Sequence, residues 1–274
     1  MPTLDEKRTG LQTTLRECGS ILVAFSGGVD STLLLFMAKQ ALGDRVLAVT
    51  AASPVYPRGE IESATATAQQ LGARHLVIET HELEDETFVT NPVDRCYHCK
   101  LELFGRLREI ADQEGLALIV HGATQDDLSD HRPGFRAARE LGVRAPLIEV
   151  GLTKDEVRAL SKEAGLPTWD RPSMACLASR FPYGESLTPQ RLGQVEQSEL
   201  ALRGLGFRQA RVRYHGPLAR VEVLPADVAR AAQPEVAAQI MAALKVAGFV
   251  YVTLDLQGFR SGSMNEVLPH AARH

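Results

Sequence analysis

A short glycine-rich segment, residues 26–32, contains the residue types best suited to binding an anion. It follows a short apolar run, 21–25, and precedes an apolar segment with helical character. A strand–loop–helix arrangement of this kind offers unpaired backbone N–H groups and the positive end of a helix dipole to a ligand. Glycines let the backbone approach phosphate oxygens, and hydroxyl groups add donors. The segment therefore predicts a phosphate site with these members: Ser26, Gly27, Gly28, Ser31 and Thr32.

Asp30 sets this loop apart from common nucleoside-triphosphate loops. A carboxylate repels a phosphate unless it holds Mg²⁺ or caps the loop itself. The segment also lacks the Gly-Lys-Ser/Thr ending of the Walker A motif, so we do not expect it to transfer a γ-phosphate. A glycine-rich turn without a ligand is the alternative.

Cys176 is the second candidate for chemistry. It lies in an irregular segment between Arg171 and Arg180. Nearby cations lower the pKa of a thiol and favour the thiolate, which is the nucleophile. The alternative is a small apolar residue that anchors a loop.

The other cysteines carry less information. Cys96 and Cys99 form a Cys-X-X-Cys pair, which alone is half of a zinc site or a redox pair. No second pair completes four ligands, and Lys100, directly after the pair, could reach a phosphate. Cys18 is expected to fill space.

Two arginines alternate along a predicted strand, 210–214. Arg211 and Arg213 then lie on one face, an arrangement that suits bidentate binding of a phosphate. With Arg180 they are the candidates for holding a substrate phosphate. A solvent-facing strand edge is the alternative.

The elements that must position these residues alternate between strand and helix over the first two thirds of the chain. Strands are predicted at 21–25, 46–50, 75–79 and 116–121, and helices at 33–41, 60–71 and 100–114, with a further helix opened by a capping box at 153–156. Repeated units of this kind predict an α/β fold, a parallel sheet flanked by helices.

The pattern changes after Gly165. We predict a first domain over 1–166, a cysteine-bearing active-site loop over 167–187, and a smaller α+β domain over 188–274 that begins with a helix capped by Thr188. Within the last domain, strands are expected at 210–214, 219–224 and 250–256, and a helix at 234–246.

Composition limits the functional class. The chain has 274 residues, a net charge of −4 and four cysteines. This balance disfavours a dedicated nucleic-acid binder, and the cysteine count disfavours a disulfide scaffold. No apolar run reaches the ~18 residues of a membrane span. The prediction is a cytoplasmic protein with no membrane or nucleic-acid partner.

The segment SGGVDST resembles the PP-loop of the N-type ATP pyrophosphatases, which include GMP, NAD and asparagine synthetases and tRNA thiolases. These enzymes hold the pyrophosphate of ATP while a substrate oxygen attacks the α-phosphorus. The resemblance implies an adenine nucleotide alpha-hydrolase-like domain that uses ATP and Mg²⁺. It also implies a nucleotide site with these members: Ser26, Gly28, Asp30 and Ser31 at the pyrophosphate and Mg²⁺, Ala51 and Ser53 near the adenosine, Gly122 against the nucleoside, and Asp126 or Asp127 as a metal ligand.

Five motifs together are similar to the LarE proteins: SGGVDST, RCYHCK, GATQDDLSDHRPG, PSMACLASR and LDLQGFRSGSMNE. That family comprises ATP-dependent sacrificial sulfur transferases that build the nickel-pincer nucleotide of lactate racemase. The resemblance implies that a carboxylate of a pyridinium dicarboxylic acid mononucleotide is adenylated. It further implies that Cys176 attacks this carboxylate and becomes dehydroalanine when its sulfur is donated.

The same resemblance bears on cofactors and partners. Some LarE relatives hold an iron–sulfur cluster with several cysteines around this loop, but Met174 and Ser179 stand there in this chain, so no cluster is expected. Glu199 is implied as a ligand of a divalent metal, and an ordinary surface glutamate is the alternative. A homo-oligomer and a downstream nickel-insertion enzyme are implied as partners.

Three other functions compete with this interpretation. A tRNA-thiolating PP-loop enzyme shares adenylation and a sulfur-carrying cysteine, but the chain has no recognisable RNA-binding extension. An ATP-dependent amidating synthetase leaves Cys176 without a role. A non-enzymatic nucleotide-binding module does not explain why the PP-loop and the cysteine loop occur together.

Overall fold

A computed structural model describes residues 2–129, 133–172, 175–260 and 262–268. Ser173 and Met174, within the predicted cysteine-bearing loop, therefore lie outside the described residues. The described residues form two compact units, the first within 2–82 and 94–172 and the second within 83–93 and 175–268. This division differs from the predicted boundaries, because 83–93 joins the second unit and the loop 167–187 is split.

Hydrogen bonds explain why the short segment 83–93 joins the second unit. The Gly184 N–H donates to the Asn91 carbonyl oxygen at 2.9 Å, and the Leu187 N–H donates to the Val89 carbonyl oxygen at 2.9 Å. The Asn91 side-chain amide donates to the Pro182 carbonyl oxygen at 2.7 Å. Such long-range pairing has no local signal in the sequence.

The helices of the described residues are α1 Leu4–Glu17, α2 Val29–Leu42, α3 Arg58–Gln70, α4 Glu86–Val89, α5 Arg95–Gln113, α6 Gly134–Glu140, α7 Pro146–Glu149, α8 Lys154–Glu163, α9 Pro189–Gly204, α10 Val228–Ala231 and α11 Pro234–Val246. The strands are β1 Ile21–Ala24, β2 Val46–Ala52, β3 Arg74–Glu79, β4 Leu118–His121, β5 Ala210–His215, β6 Leu218–Val223 and β7 Tyr251–Leu254. Over the described part of the chain, no helix combines the length and apolar character needed to span a bilayer.

The first unit is built on a four-stranded parallel sheet with the order β3-β2-β1-β4. Successive residues of β1 pack into two separate apolar cores. Ile21 and Val23 pack with α1, α2 and α8, whereas Leu22 packs with α5. Strands buried on both faces read as continuous apolar runs. The predicted parallel sheet flanked by helices is confirmed.

The second unit contains a three-stranded sheet with the order β5-β6-β7. β5 and β6 are antiparallel, and β6 and β7 are parallel. Phe181 stacks on Tyr214 of β5 with ring centroids 4.9 Å apart, and Phe249 packs on the same tyrosine. The predicted smaller α+β region is confirmed.

Candidate functional site

The predicted phosphate loop lies between β1 and α2. Gly28 is the N-cap of α2 and has an extended backbone. Because glycine has no side chain, no side chain caps the first N–H groups of α2. The Ser26 and Ser31 hydroxyls lie 3.1 Å apart, and the Gly28 N–H donates to the Ser26 hydroxyl at 3.4 Å. The Thr32 hydroxyl oxygen is buried and has no hydrogen-bond partner among the described residues. The loop therefore keeps donor groups that the protein itself does not use.

Two glycines of the site are required by close backbone approach. Gly27 has φ +69°, and a Cβ on it would lie 2.8 Å from the Ala64 Cα. A Cβ on Gly122, just after β4, would lie 2.8 Å from the backbone nitrogen of Ser31. The segment after β4 thus packs directly on the loop, because Gly122 has no side chain to hold it away.

Asp30 is the charged residue of the loop, and it forms an ion pair with Lys154 at the start of α8. Burial raises the pKa of Asp30 above the ordinary value, against the opposing effect of Lys154, and Asp127 raises it further. The Asp30 Oδ1 atom is buried without a hydrogen-bond partner among the described residues. Sequence reasoning missed Lys154, which it treated only as part of a capping box.

Two acidic residues follow β4, and one of them binds the start of α8. The Asp127 carboxylate accepts a hydrogen bond from the Thr124 N–H at 2.8 Å. The Asp126 carboxylate accepts one from the Lys154 N–H at 2.6 Å, which caps α8. The capping box predicted at Thr153 and Glu156 is confirmed. Asp126 therefore positions the lysine that faces Asp30.

The site could hold Mg²⁺ through Asp30. Its orphaned Oδ1 atom supplies the kind of oxygen donor that Mg²⁺ prefers, and Asp127 is near enough to change its pKa. Mg²⁺ bound with a nucleotide takes few protein ligands and keeps waters and phosphate oxygens. Within the described residues, no group of three or more His, Cys, Asp and Glu is arranged to bind a metal.

A pocket opens beside the loop at the carboxyl ends of β1 and β2. Ligands of open α/β sheets bind at this edge. Its lining is Ala24, Phe25, Ser26, Val49, Thr50, Ala51, Tyr56, Glu60, Ile61, Lys100 and Leu103. Ser53 follows the pocket edge of β2 and accepts a hydrogen bond from the Val55 N–H at 3.3 Å, within the turn that leads to Tyr56. Tyr56 and Glu60 had not been predicted.

Lys100 lines this pocket, and its charge acts on His121 at the end of β4. Lys100 projects from α5, with its Nζ atom 5.4 Å from the Phe104 ring centroid. His121 ends β4 between Phe104 and Phe135. Burial lowers the pKa of His121 to about 4, and the Lys100 charge acts in the same direction. His121 is therefore a neutral imidazole at physiological pH.

Arg171, predicted as one of the cations that flank Cys176 in sequence, contacts the phosphate loop in the first unit. It donates to the Gly27 carbonyl oxygen at 3.0 Å and pairs with Glu60 at 2.9 Å. Its role in the first unit is thus to brace the loop and α3.

The second unit carries Cys176, which caps a single turn of 3-10 helix, Leu177–Arg180. Its side chain is half-buried. The Cys176 carbonyl oxygen accepts hydrogen bonds from the Ser179 N–H at 3.0 Å, the Ser179 hydroxyl at 2.8 Å and the Arg180 guanidinium at 3.0 Å. The backbone that presents the thiol is therefore fixed.

Arg180 is completely buried and pairs with Glu199 of α9, with two nitrogen–oxygen distances of 2.9 Å. Burial acts to raise the pKa of Glu199, but Arg180, Arg211 and the Val212 N–H outweigh it and hold this pKa below the ordinary value. Arg180 also donates to the Ala175 carbonyl oxygen at 2.7 Å. The predicted roles of Arg180 at a phosphate and of Glu199 at a metal stay predictions, and in this structure the two bind each other.

Arg211 and Arg213 lie on β5 and are buried, so they do not form a solvent-facing edge. Burial, with the charges of Arg180 and Arg213, lowers the pKa of Arg211 to about 10. Arg213 pairs with Glu222 at 2.7 Å and donates to the Ser179 carbonyl oxygen at 3.1 Å. Arg180, Arg211 and Arg213 are thus all buried near the cysteine turn, and two of them are paired with buried glutamates.

The predicted residues therefore fall into two sets. The first unit holds the predicted nucleotide set, of which Ser26 and Lys100 line the pocket: Ser26, Gly27, Gly28, Asp30, Ser31, Thr32, Ser53, Lys100, Gly122 and Asp127. The second unit holds the cysteine set: Cys176, Arg180, Glu199, Arg211 and Arg213.

Comparisons with known proteins match both units. The family model described as NAD synthase matches residues 4–95. The protein slr1717 of Synechocystis, an uncharacterised protein, is 42% identical over 265 residues, covering 97% of this chain and 99% of its own. The pyridinium-3,5-bisthiocarboxylic acid mononucleotide synthase of Lactiplantibacillus plantarum is 40% identical over 272 residues, covering 99% and 98%. A subunit of the glutamine-hydrolysing GMP synthase of Methanocaldococcus jannaschii is 30% identical over 196 residues, covering 65% and 59%.

Proposed function

The chain belongs to the family of the pyridinium-3,5-bisthiocarboxylic acid mononucleotide synthases, the LarE family of PP-loop enzymes, and from this we propose that it sulfurates a pyridinium dicarboxylic acid mononucleotide with the sulfur of Cys176. Membership makes the chain an ATP-using enzyme with a sulfur transferase role. The observation that carries the finer proposal is the hydrogen-bonded backbone that presents Cys176, in the same chain as a loop with unused phosphate donors.

The first step is adenylation of a substrate carboxylate. The backbone N–H groups at the start of α2, with Ser26, Ser31 and Thr32, bind the pyrophosphate of ATP. Lys154 and Lys100 supply positive charge at the phosphates, and the pocket beside β1 and β2 takes the adenosine. Mg²⁺ held through Asp30 would neutralise part of the phosphate charge. The carboxylate oxygen displaces pyrophosphate from the α-phosphorus and leaves an acyl adenylate.

The second step consumes Cys176. Its thiolate attacks the acyl carbon, AMP leaves, and a thioester forms. A base then removes the Cys176 Cα proton, the Cβ–S bond breaks, and the thiocarboxylate leaves with both electrons of that bond. Dehydroalanine is left in the chain. Arg180 and Ser179 hold the backbone around this Cα in one conformation, which favours a defined elimination geometry.

Several consequences belong to the same proposal. Arg211 and Arg213, with Arg180, attract the phosphate of the mononucleotide. Glu199 is proposed as the ligand of a second divalent metal. Because both carboxylates of the substrate are converted, each product molecule consumes two Cys176 equivalents. We further propose a cytoplasmic homo-oligomer that passes its product to a nickel-insertion enzyme in lactate racemase maturation.

The decisive experiment is intact-mass analysis after incubation with ATP, Mg²⁺ and the pyridinium mononucleotide. The expected result is a single turnover in which the protein loses the mass of one H₂S, mapped to the peptide of Cys176. Product formed over many turnovers by a protein of unchanged mass would contradict the proposal.

Cys176→Ala is the matched variant for this experiment. It should keep ATP–pyrophosphate exchange, because the groups around the nucleotide are unchanged, and should form no thiocarboxylate. Product from this variant would show that the sulfur comes from elsewhere.

A further inference from the structure

The Cys-X-X-Cys pair has no part in the proposed reaction, and the structure places it unlike the sequence-based expectation. The helix predicted to begin at residue 100 begins at Arg95, so Cys96 and Cys99 both lie in the first turns of α5. Residues three apart on a helix share a face, with Cβ atoms about 5–6 Å apart, a separation that small adjustments bring within reach of a disulfide. Both cysteines are in the thiol form.

The two thiols differ in exposure and surroundings. Cys96 is exposed, at the end of α5 where N–H groups and the helix dipole favour an anion. Cys99 is half-buried, and its sulfur lies 3.8 Å from the Glu82 Oε1 atom and 3.5 Å from the Tyr56 hydroxyl. This asymmetry is the arrangement that thiol–disulfide exchange requires: one accessible attacking sulfur and one protected sulfur beside a proton acceptor.

Glu82 supplies the proton acceptor. It is only 1% exposed, and its Oε1 atom also accepts a hydrogen bond from the Thr80 hydroxyl at 3.1 Å. Its Oε2 atom is buried without a hydrogen-bond partner among the described residues. A buried carboxylate with an unused oxygen has capacity to take a proton from the thiol it contacts.

We propose that Cys96 and Cys99 form a redox-active dithiol that exchanges with small-molecule disulfides, with Glu82 as the proton acceptor for Cys99. The Cys96 thiolate attacks one sulfur of the small disulfide, whose other half leaves as a thiolate, and a mixed disulfide forms. Cys99 then gives its proton to Glu82 and attacks the Cys96 sulfur. The Cys96–Cys99 disulfide forms, and the second half of the reagent leaves as a thiolate. Two protein thiols are oxidised, and one disulfide is reduced to two thiols.

The exchange site is connected to the candidate nucleotide pocket. Tyr56, which contacts the Cys99 sulfur, and Lys100, the next residue in the chain, both line that pocket. Disulfide formation removes the thiol proton shared with Glu82 and tightens the first turns of α5. The oxidised protein should therefore bind ATP about five- to tenfold more weakly, a coupling typical of linked sites. The expected change in ATP binding rests on the proposed function, whereas the exchange chemistry does not.

Equilibration of the full-length protein with mixtures of reduced and oxidised glutathione tests the exchange. Trypsin cleaves after Arg95 and after Lys100, so both cysteines fall in one peptide, CYHCK, separate from the peptide of Cys176. The expected product is this peptide lighter by two hydrogen atoms, restored by dithiothreitol. A peptide that stays a dithiol, or carries only glutathione adducts, at every ratio would overturn the proposal.

Variants separate the two sulfurs and the carboxylate. Cys99→Ser should accumulate one glutathione on Cys96, and Cys96→Ser should not accumulate it on Cys99. Glu82→Gln should slow disulfide closure about tenfold or more, as loss of a proton acceptor does. Glu102→Gln is the matched control, because the Glu102 Oε1 atom accepts a hydrogen bond from the His81 N–H rather than from a thiol. Equal closure rates in both glutamine variants would remove Glu82 from the mechanism.

Calorimetric titration of the reduced and oxidised forms with ATP and Mg²⁺ tests the coupling. Weaker binding by the oxidised form supports it, and equal affinities contradict it. Absence of ATP binding by the reduced form contradicts the proposed function instead. The peptide result tests the exchange chemistry independently of ATP binding.

Discussion

The phosphate loop and the cysteine turn both combine charged side chains with an irregular backbone, yet they treat those charges in opposite ways. In the loop, Asp30 pairs with a partly exposed lysine through one oxygen and leaves the other buried without a partner among the described residues. In the cysteine turn, Arg180 and Glu199 are both buried and satisfy one another through two hydrogen bonds. Asp30 therefore has one oxygen available to a ligand, whereas a ligand of Glu199 or Arg180 would have to compete with the ion pair between them.

The two carboxylates show the difference in their protonation. Burial raises the pKa of Asp30, and its lysine partner does not cancel this effect. Burial acts in the same way on the pKa of Glu199, but two arginines and a backbone N–H reverse it. A carboxylate whose charged form the protein stabilises poorly gains from a cationic ligand, whereas the charged form of Glu199 is already stabilised by its arginines, with which a metal would compete.

This contrast separates two ways of building a reactive site. A loop that binds a nucleotide gains from unsatisfied donors and acceptors, because the ligand completes them. A turn that must present one thiol gains from saturated contacts, because these fix the backbone on which the sulfur is carried. Substitutions in the two regions test this distinction.

Glu199→Gln should cost the most stability. The amide leaves the Arg180 guanidinium buried next to a neutral group, and breaking one side of a buried ion pair costs about 3–5 kcal/mol. Urea-induced unfolding followed by circular dichroism measures the change. Glu185→Gln is the control from the same unit, since the Glu185–Arg191 pair is about one third exposed; its loss should cost about 1 kcal/mol or less. Similar losses in both variants would show that the Arg180–Glu199 pair is not the anchor of the turn.

Gly122→Ala should have an intermediate effect. A Cβ at this position would lie 2.8 Å from the Ser31 backbone nitrogen, so the segment after β4 must move away from the loop. Overpacking of this kind costs about 1–3 kcal/mol, and ATP binding should weaken with it.

Gly105→Ala is the control for this substitution, because a Cβ at position 105 of α5 meets nothing within 4 Å. It should stabilise the protein by about 0.5–1 kcal/mol, as alanine does in a helix, and leave ATP binding unchanged. Unchanged ATP affinity in Gly122→Ala, measured by calorimetry, would separate the segment after β4 from the nucleotide site.

Local patterns were sufficient for most of the fold. Strand 21–25, the capping box at Thr153 and the helix that follows Thr188 depend on contacts within a few residues, and each was predicted close to its observed place. Helix α1 was not predicted, because its start is polar and charged and only two of its residues, Leu11 and Leu15, are buried.

Less of the candidate site could be predicted from the sequence where the site depends on ion pairs between residues far apart in the chain. Lys154 meets Asp30 across more than a hundred residues, and Arg180 meets Glu199 on a different element. Residue types identified these as charged groups suited to phosphate or metal. Tertiary packing decides which of these groups form ion pairs, and the spacing of residues in the sequence does not predict the pairs.

Asp30→Asn should have the smallest effect on stability and an effect of opposite sign to that of Glu199→Gln. The folded-state pKa of Asp30 is raised, so its contribution to stability is complete below the unfolded pKa and is lost as the pH rises through the folded pKa. The asparagine variant does not suffer this loss. It should therefore match or exceed the wild type by about 1 kcal/mol or less near pH 7, with the advantage fading towards pH ~4.

Glu199 gives the reverse dependence, because its folded-state pKa is lowered. Its contribution is present above the unfolded pKa and is lost as the pH falls through the folded pKa, so the deficit of Glu199→Gln should shrink in acid. Urea unfolding of both variants between pH ~4 and pH ~7 measures their stabilities, and titration with ATP at neutral pH measures their nucleotide affinities. Asp30→Asn should lose Mg²⁺-dependent ATP binding while keeping its stability. A clear loss of stability in Asp30→Asn at neutral pH would mean that Asp30 serves the fold as Glu199 does, and the distinction between the two regions would fail.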